Sequence, residues 1–211
     1  MTTRSSASPV LVERVHDRPP DSLVGRFRQV PVATVSDAME RLWTLDGVIC
    51  GVWRGAACAG PALPVYTRAG DNLAVYRAFD VARPGDVLIV NGQGDTTRAL
   101  LGGLMAARAR NLGIAGIVVD GAVRDVDEIE AVGLPVFARA STPAGPYKNG
   151  PGEVGLPAAC GGVVCSPGDI VCGDADGVAV VPHRRAARVA DTVGEILRYE
   201  QDLARQWFGD A

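Results

Sequence analysis

The sequence predicts an α/β domain with a central strand–helix–strand (βαβ) unit and a long C-terminal helix. Three stretches carry that prediction. Val87-Leu88-Ile89-Val90 and residues 114–119 are unbroken apolar runs, the pattern of strands covered on both faces. Between them, residues 97–112 place Leu100, Leu101, Leu104, Met105 and Ala109 roughly on one helical face, and Gly113 follows as a C-cap. Two parallel strands need a crossover of this length. Residues 184–207 read as one long helix.

The other elements follow in order. Residues 1–24 are expected as an N-terminal leader, loose as far as Pro19-Pro20, and residues 25–211 as a single domain. Thr34-Val35-Ser36-Asp37 offers capping groups for a short helix continuing over residues 38–42. Residues 48–65 are apolar and punctuated by Gly and Pro, as in short strands. Asp71-Asn72-Leu73 opens a helix towards Phe79. Pro84-Gly85-Asp86 is a turn into the first apolar run. Pro167-Gly168-Asp169 repeats that device before Ile170-Val171, and a further apolar run, Val178-Ala179-Val180-Val181, comes after Asp174-Ala175-Asp176-Gly177. Two copies are too few for an internal repeat. Residues 141–162 are loop-rich.

Composition narrows the function. The 211 residues hold 21 Lys+Arg against 24 Asp+Glu, a net charge of −3, which disfavours a nucleic-acid or anionic-membrane binder. No apolar run approaches the ~20 residues of a membrane span. Five cysteines without a CxxC read as buried thiols of a cytoplasmic protein rather than as disulfides or a zinc site. There is no G-x-S-x-G or Walker A sequence, and Thr97 stands where a dinucleotide motif beginning at Gly92 needs its third glycine. Asp174-Ala175-Asp176-Gly177 departs from a calcium loop at Val178 and reads as a turn. Two histidines, His16 and His183, are too few for a multi-histidine metal site.

What remains is Asp120-Gly121-Ala122-Val123-Arg124-Asp125, at the end of a buried strand, where α/β folds open their ligand crevices. A guanidinium at Arg124 suits a carboxylate, and a carboxylate at Asp125 suits a hard cation. The pair could equally form a salt bridge or cap the next helix. Gly102, Gly103, Leu104 and Met105 could present backbone amides to an anion, or could simply allow close helix packing. In the C-terminal helix Val189, Val193, Ile196, Glu200, Leu203 and Trp207 share one seam. Glu200 there either meets a cation or lies on an exposed edge.

Leu101-Gly102-Gly103-Leu104-Met105-Ala106 and Gly116 through Asp125 make the chain resemble the RraA-like family, which includes regulator of ribonuclease activity A and class II 4-hydroxy-4-methyl-2-oxoglutarate aldolases. The resemblance implies a swivelling β/β/α domain assembled as a homotrimer or homohexamer. It implies that Asp125 binds a divalent cation (Mg²⁺ or Mn²⁺), largely through waters, and that Arg124 holds the carboxylate and carbonyl of a small 2-oxo acid. It further implies that Gly102 to Met105 bind the substrate anion, and that Glu200 is contributed across a subunit interface. The activity implied is carbon–carbon cleavage giving pyruvate, by retro-aldol reaction or by oxaloacetate decarboxylation. The alternative is a non-catalytic, protein-binding regulator of ribonuclease activity. One departure bears on the first: aldolases of the family commonly carry Asp or Glu where this chain has Gly103.

Overall fold

The computed structural model describes residues 9–14 and 17–209. In chain order these form strand β1 (Val10–Val12), helices α1 (Asp21–Gly25) and α2 (Val32–Ala38), and strands β2 (Cys50–Gly51) and β3 (Cys58–Thr67). Helix α3 (Leu73–Ala78), strands β4 (Val87–Asn91) and β5 (Ala99–Leu101), helix α4 (Gly103–Asn111), strand β6 (Gly116–Val123) and helix α5 (Val126–Val132) follow. Strands β7 (Val136–Ser141), β8 (Gly152–Val154), β9 (Ala158–Cys160), β10 (Val163–Cys165), β11 (Ile170–Asp174) and β12 (Gly177–Val181) lead to helix α6 (Ala186–Phe208).

The main sheet runs β1-β8-β3-β4-β6-β7-β2, with β3, β4, β6 and β7 parallel. The first residues of β3 pair antiparallel with β11, and β11 pairs with β12, so one long strand joins two layers. Side chains alternate across a strand, and the apolar runs fill both faces. Leu88 and Val90 enter the core beneath α3, α4 and α5, while Val87 and Ile89 face the core between the two sheets. Ala179 and Val181 of β12 meet a third core formed with α1, α2 and α6. The result is four layers, α/β/β/α. Strands buried on both sides explain why β4 and β6 read as continuous apolar text.

Three expectations need correction. The leader is not loose throughout: Val10–Val12 forms β1, paired parallel with β8, and Val24 is buried in α1. His16 lies outside the described residues. The first full helix after it starts at Val32, behind Pro31, rather than at residue 38. Its first amide is capped by the Asp174 carboxylate from the β11–β12 turn (2.8 Å), a partner 142 residues away that local spacing cannot reveal. Residues 97–112 are not one helix either. Ala99–Leu101 is a fully buried strand paired with the end of β6, and the helix begins only at Gly103. Leu104, expected on the apolar face, is 87% exposed.

The βαβ unit, the strands at β11 and β12 and the long C-terminal helix stand as expected. The Asp174-Ala175-Asp176-Gly177 segment is the hairpin turn between β11 and β12, its Asp174 carboxylate accepting the Asp176 amide at 2.9 Å. Among the described residues no helix is long and apolar enough to cross a membrane.

Candidate active site

Strands β5 and β6 end side by side. Leu101 pairs with Val123, and the Arg124 amide donates to the Leu101 carbonyl at 3.0 Å. The chain leaves β5 through Gly102-Gly103 into α4, and leaves β6 through Arg124-Asp125 into α5. Adjacent exits therefore bring the glycine turn against the Arg-Asp pair. The register of β6 with β7 shifts between Val119 and Ala122, an irregularity of the sort that re-aims a strand near a site. A cavity of about 140 Å³ opens there, lined by Gly102, Met105, Arg124 and Asp125 together with Asn72 and Lys148.

Asp125 occupies left-handed backbone space (φ 56°, ψ 46°), which Asp tolerates better than most residues but at some cost. It holds the N-cap position of α5 yet caps nothing there. Its carboxylate instead turns to the neighbouring helix and accepts the Gly103 amide at 3.2 Å. The Arg124 Nε–Asp125 Oδ2 distance is 3.4 Å, and the side chains are 43% and 37% exposed. A pair so open to water contributes at most about 1 kcal/mol to stability and is free to exchange partners. Arg124 and Asp125 are thus neither buried as a private ion pair nor remote from a cavity.

The glycines are required by this approach. A Cβ on Gly102 would stand 2.6 Å from the Asp125 carboxylate, and one on Gly103 would stand 2.0 Å from Glu128 Oε2. Glu128 was missed from the sequence. The signal is its spacing: three residues after Asp125 on α5, it shares that residue's helix face. Its carboxylate fills the volume that a side chain at position 103 would occupy. The amides of the turn are mostly engaged, Gly103 with Asp125 and Met105 with the Gly102 carbonyl, so the turn grips Asp125 as well as facing the cavity.

Glu200 is not brought to this cavity within the chain. It is exposed on the second half of α6, a helix that packs on α1 and α2. Beyond Leu197 the helix leaves the core, and Trp207 and Phe208 are 68% and 82% exposed. The cysteines are free thiols. Burial pushes Cys58 up to about 12 and raises Cys160, Cys165 and Cys172 further. Among the described residues no three His, Cys, Asp or Glu side chains gather into a metal-binding group. Asp125 and Glu128 do give two oxygen donors beside the Gly102-Gly103 turn. Few protein carboxylates plus water is the donor set Mg²⁺ favours, so these residues fit such an ion.

The RraA-like (Aldolase/RraA) family model matches residues 32–180, which include every strand of the βαβ unit and both halves of the site. The chain belongs to the RraA-like family. A Halalkalibacterium halodurans protein, provisionally named a 4-hydroxy-4-methyl-2-oxoglutarate aldolase, is 43% identical over 166 residues, 79% of each chain. A Thermus thermophilus 4-hydroxy-4-methyl-2-oxoglutarate aldolase is 41% identical over 113 residues, 54% of this chain and 69% of its own. Among solved structures, Streptomyces coelicolor RraAS2, of the RNase ES inhibitor RraA family, aligns with a TM-score of 0.79 at 27% identity, covering 90% of this chain and all of that one. The RraA-like fold, with its mixed sheet and long last helix, is therefore the fold of this protein.

Proposed function

We propose that this RraA-like protein is a divalent-metal-dependent carbon–carbon lyase acting on 2-oxo acids. It cleaves 4-hydroxy-4-methyl-2-oxoglutarate-type substrates by retro-aldol reaction and decarboxylates oxaloacetate, giving pyruvate in both cases. The observation that carries this reading is the open Arg124–Asp125 pair lining a cavity beside a glycine turn. The aldolase names of its relatives point the same way.

Asp125, supported by Glu128, would hold Mg²⁺ or Mn²⁺, which when bound supplies Lewis acidity at the 2-oxo oxygen. The rest falls to side chains of the chain itself. Arg124 holds the 1-carboxylate and places fixed positive charge where the enolate oxygen develops. Lys148, in the same lining, offers a second cation to a second carboxylate, as both substrates possess. In the retro-aldol direction the bond between C3 and C4 breaks, its electrons pass to the 2-oxo oxygen, and the C4 hydroxyl loses a proton. Glu128, which stands in the space of the missing acid at position 103, is the carboxylate assigned to receive that proton. Water then protonates C3 to give pyruvate.

Glu200 would serve a neighbouring copy's cavity in a homotrimer or homohexamer, a reading supported by the uncovered apolar end of α6. Five free thiols, Cys160, Cys165 and Cys172 buried and Cys50 exposed, suit a cytoplasmic protein. The test is pyruvate release from both acids with Mg²⁺ or Mn²⁺, with and without chelator. Metal-dependent release is expected. No release with metal supplied, or release indifferent to chelator, would refute the lyase and leave the protein-binding regulator, a reading that the likeness to RraAS2 favours.

A further inference from the structure

We infer that Asp71 is a positioning residue: its buried carboxylate fixes the loop that carries Lys148, and so sets where the cavity meets the second carboxylate of its substrate. The inference rests on the lyase reading and names the residue through which the protein favours dicarboxylic over monocarboxylic 2-oxo acids.

Lys148 lies between β7 and β8, outside any helix or strand. Its ammonium nonetheless sits at the cavity: Nζ is 5.3 Å from the ring centre of Tyr76, and both residues belong to the lining. A cation over an aromatic face is held weakly at an exposed site. The firm hold is on the backbone. Asp71 is fully buried, and its Oδ2 accepts the amides of Asn149 at 2.9 Å and Gly150 at 3.1 Å, the two residues that follow Lys148. The same oxygen accepts the Arg68 guanidinium at 3.0 Å, and that guanidinium nitrogen also donates to the Asn149 side chain at 2.5 Å. On the other side of Lys148, the Tyr147 amide donates to the Gly70 carbonyl at 2.8 Å, and the Tyr147 carbonyl accepts the Asn72 amide at 3.0 Å. The backbone on both sides of Lys148 is thus tied to residues 70–72.

The start of α3 needs only half of this arrangement. Oδ1 of Asp71 accepts the Leu73 amide at 2.9 Å and serves the first turn of the helix. A buried carboxylate is costly unless fully paired, and the rest of its pairing is directed to the loop and to the arginine that clamps it. The other cation of the cavity meets the same loop: a Cβ on Gly145 would stand 3.1 Å from Arg124 Nη1. The place of the loop therefore sets the separation of two positive charges, and a substrate with a carboxylate at each end needs that separation fixed.

The experiment measures KM and kcat for 4-hydroxy-4-methyl-2-oxoglutarate, and the inhibition constant of pyruvate, which has one carboxylate and no use for Lys148. It uses the full chain with Mg²⁺. Asp71→Asn keeps the size of the side chain but replaces one acceptor oxygen by a donor. It is expected to raise KM about 10-fold, while kcat and the pyruvate constant stay within about threefold. Lys148→Ala is expected to raise KM at least as far, and the double variant no further than Lys148→Ala alone, because Asp71 acts through Lys148. A pyruvate constant that rises with KM, or a double variant whose losses add, would make Asp71 a structural support only and overturn the inference. Should Asp71→Asn fail to fold, Arg68→Ala releases the clamp from the exposed side. It is expected to raise KM about fivefold with the pyruvate constant unmoved, and an unmoved KM there overturns the inference. No pyruvate from the unaltered chain would refute the lyase reading and this inference with it. A KM raised in Lys148→Ala but not in a folded Asp71→Asn refutes this inference alone.

Discussion

Strand β6 carries two aspartates five residues apart, at its middle and just beyond its end, and their fates differ. Asp120 is buried and fully engaged: one oxygen bonds Arg139 Nε, and the other accepts the Gly161 amide at 2.7 Å. Arg139 reaches on to Asp46 at 3.0 Å, and these two acids hold its guanidinium firmly protonated. Asp125 has one long contact to Arg124 and one amide, and its side chain is more than a third exposed. The first pair ties β6 and β7 to the segments at Asp46 and Gly161. The second is held loosely at a cavity and can accept a ligand. Identical residue types are structural where their hydrogen-bonding capacity is satisfied and available for chemistry where it is not.

The largest effect expected from breaking this contrast is at the open pair. Arg124→Ala should lower pyruvate formation by about 10³-fold or more, and Asp125→Ala should abolish metal-dependent turnover. Both should leave the midpoint of urea unfolding within about 1 kcal/mol of the parent, because exposed pairs contribute little. Asp120→Ala should do the reverse. It leaves the Gly161 amide without its acceptor and Arg139 with Asp46 alone, and should cost about 2–4 kcal/mol in a urea titration, a little below the usual range for a broken buried pair because Asp46 and partial exposure still serve Arg139.

Gly103→Asp sharpens the comparison. Its Cβ would collide with the Glu128 carboxylate, so the single variant should lose about 1–3 kcal/mol by thermal melting. Glu128→Ala in the same chain should restore stability, and cleavage should then return to the level that Glu128 supports. A double variant no better than Glu128→Ala alone would show that the carboxylates at 103 and 128 are not interchangeable.

The last effect is alkaline and leaves the site untouched. Cys58, Cys160, Cys165 and Cys172 are held protonated by burial, so their folded pKa values lie above the unfolded value. Their stabilising contribution is complete below about pH 8.5. It is lost as pH rises through the range up to about 12 for Cys58, because the unfolded chain then releases protons that the folded chain retains. Each thiol should cost up to about 1.4 kcal/mol per pH unit above that point. Urea midpoints measured from pH 8 to 11 check this, and Cys172→Ala should flatten the slope by one thiol's share.

Much of the frame was legible. Val87–Val90, residues 114–119 and the last helix announce themselves because burial on both faces, or on one helical stripe, writes a periodicity into the chain. Asp120-Gly121 through Asp125 could be singled out because strand ends collect ligands. Ala99–Leu101 escaped because three apolar residues fit a helix face as well as a strand. Glu128 escaped because its one local mark, the spacing of three from Asp125, is shared by many ordinary helix acids.

The sequence by itself determined the apolar strands at 87–90, 114–119 and 178–181, the crossover and the Arg124-Asp125 pair, since hydrophobic period and turn chemistry act between neighbours along the chain. Only the tertiary structure decided that β5 ends beside β6, that Asp71 holds the loop carrying Lys148, and that Glu128 fills the gap at Gly103. Those outcomes depend on which groups meet across strand exits and helix starts, where close approach and unsatisfied hydrogen bonds, not local propensity, set each side chain's role.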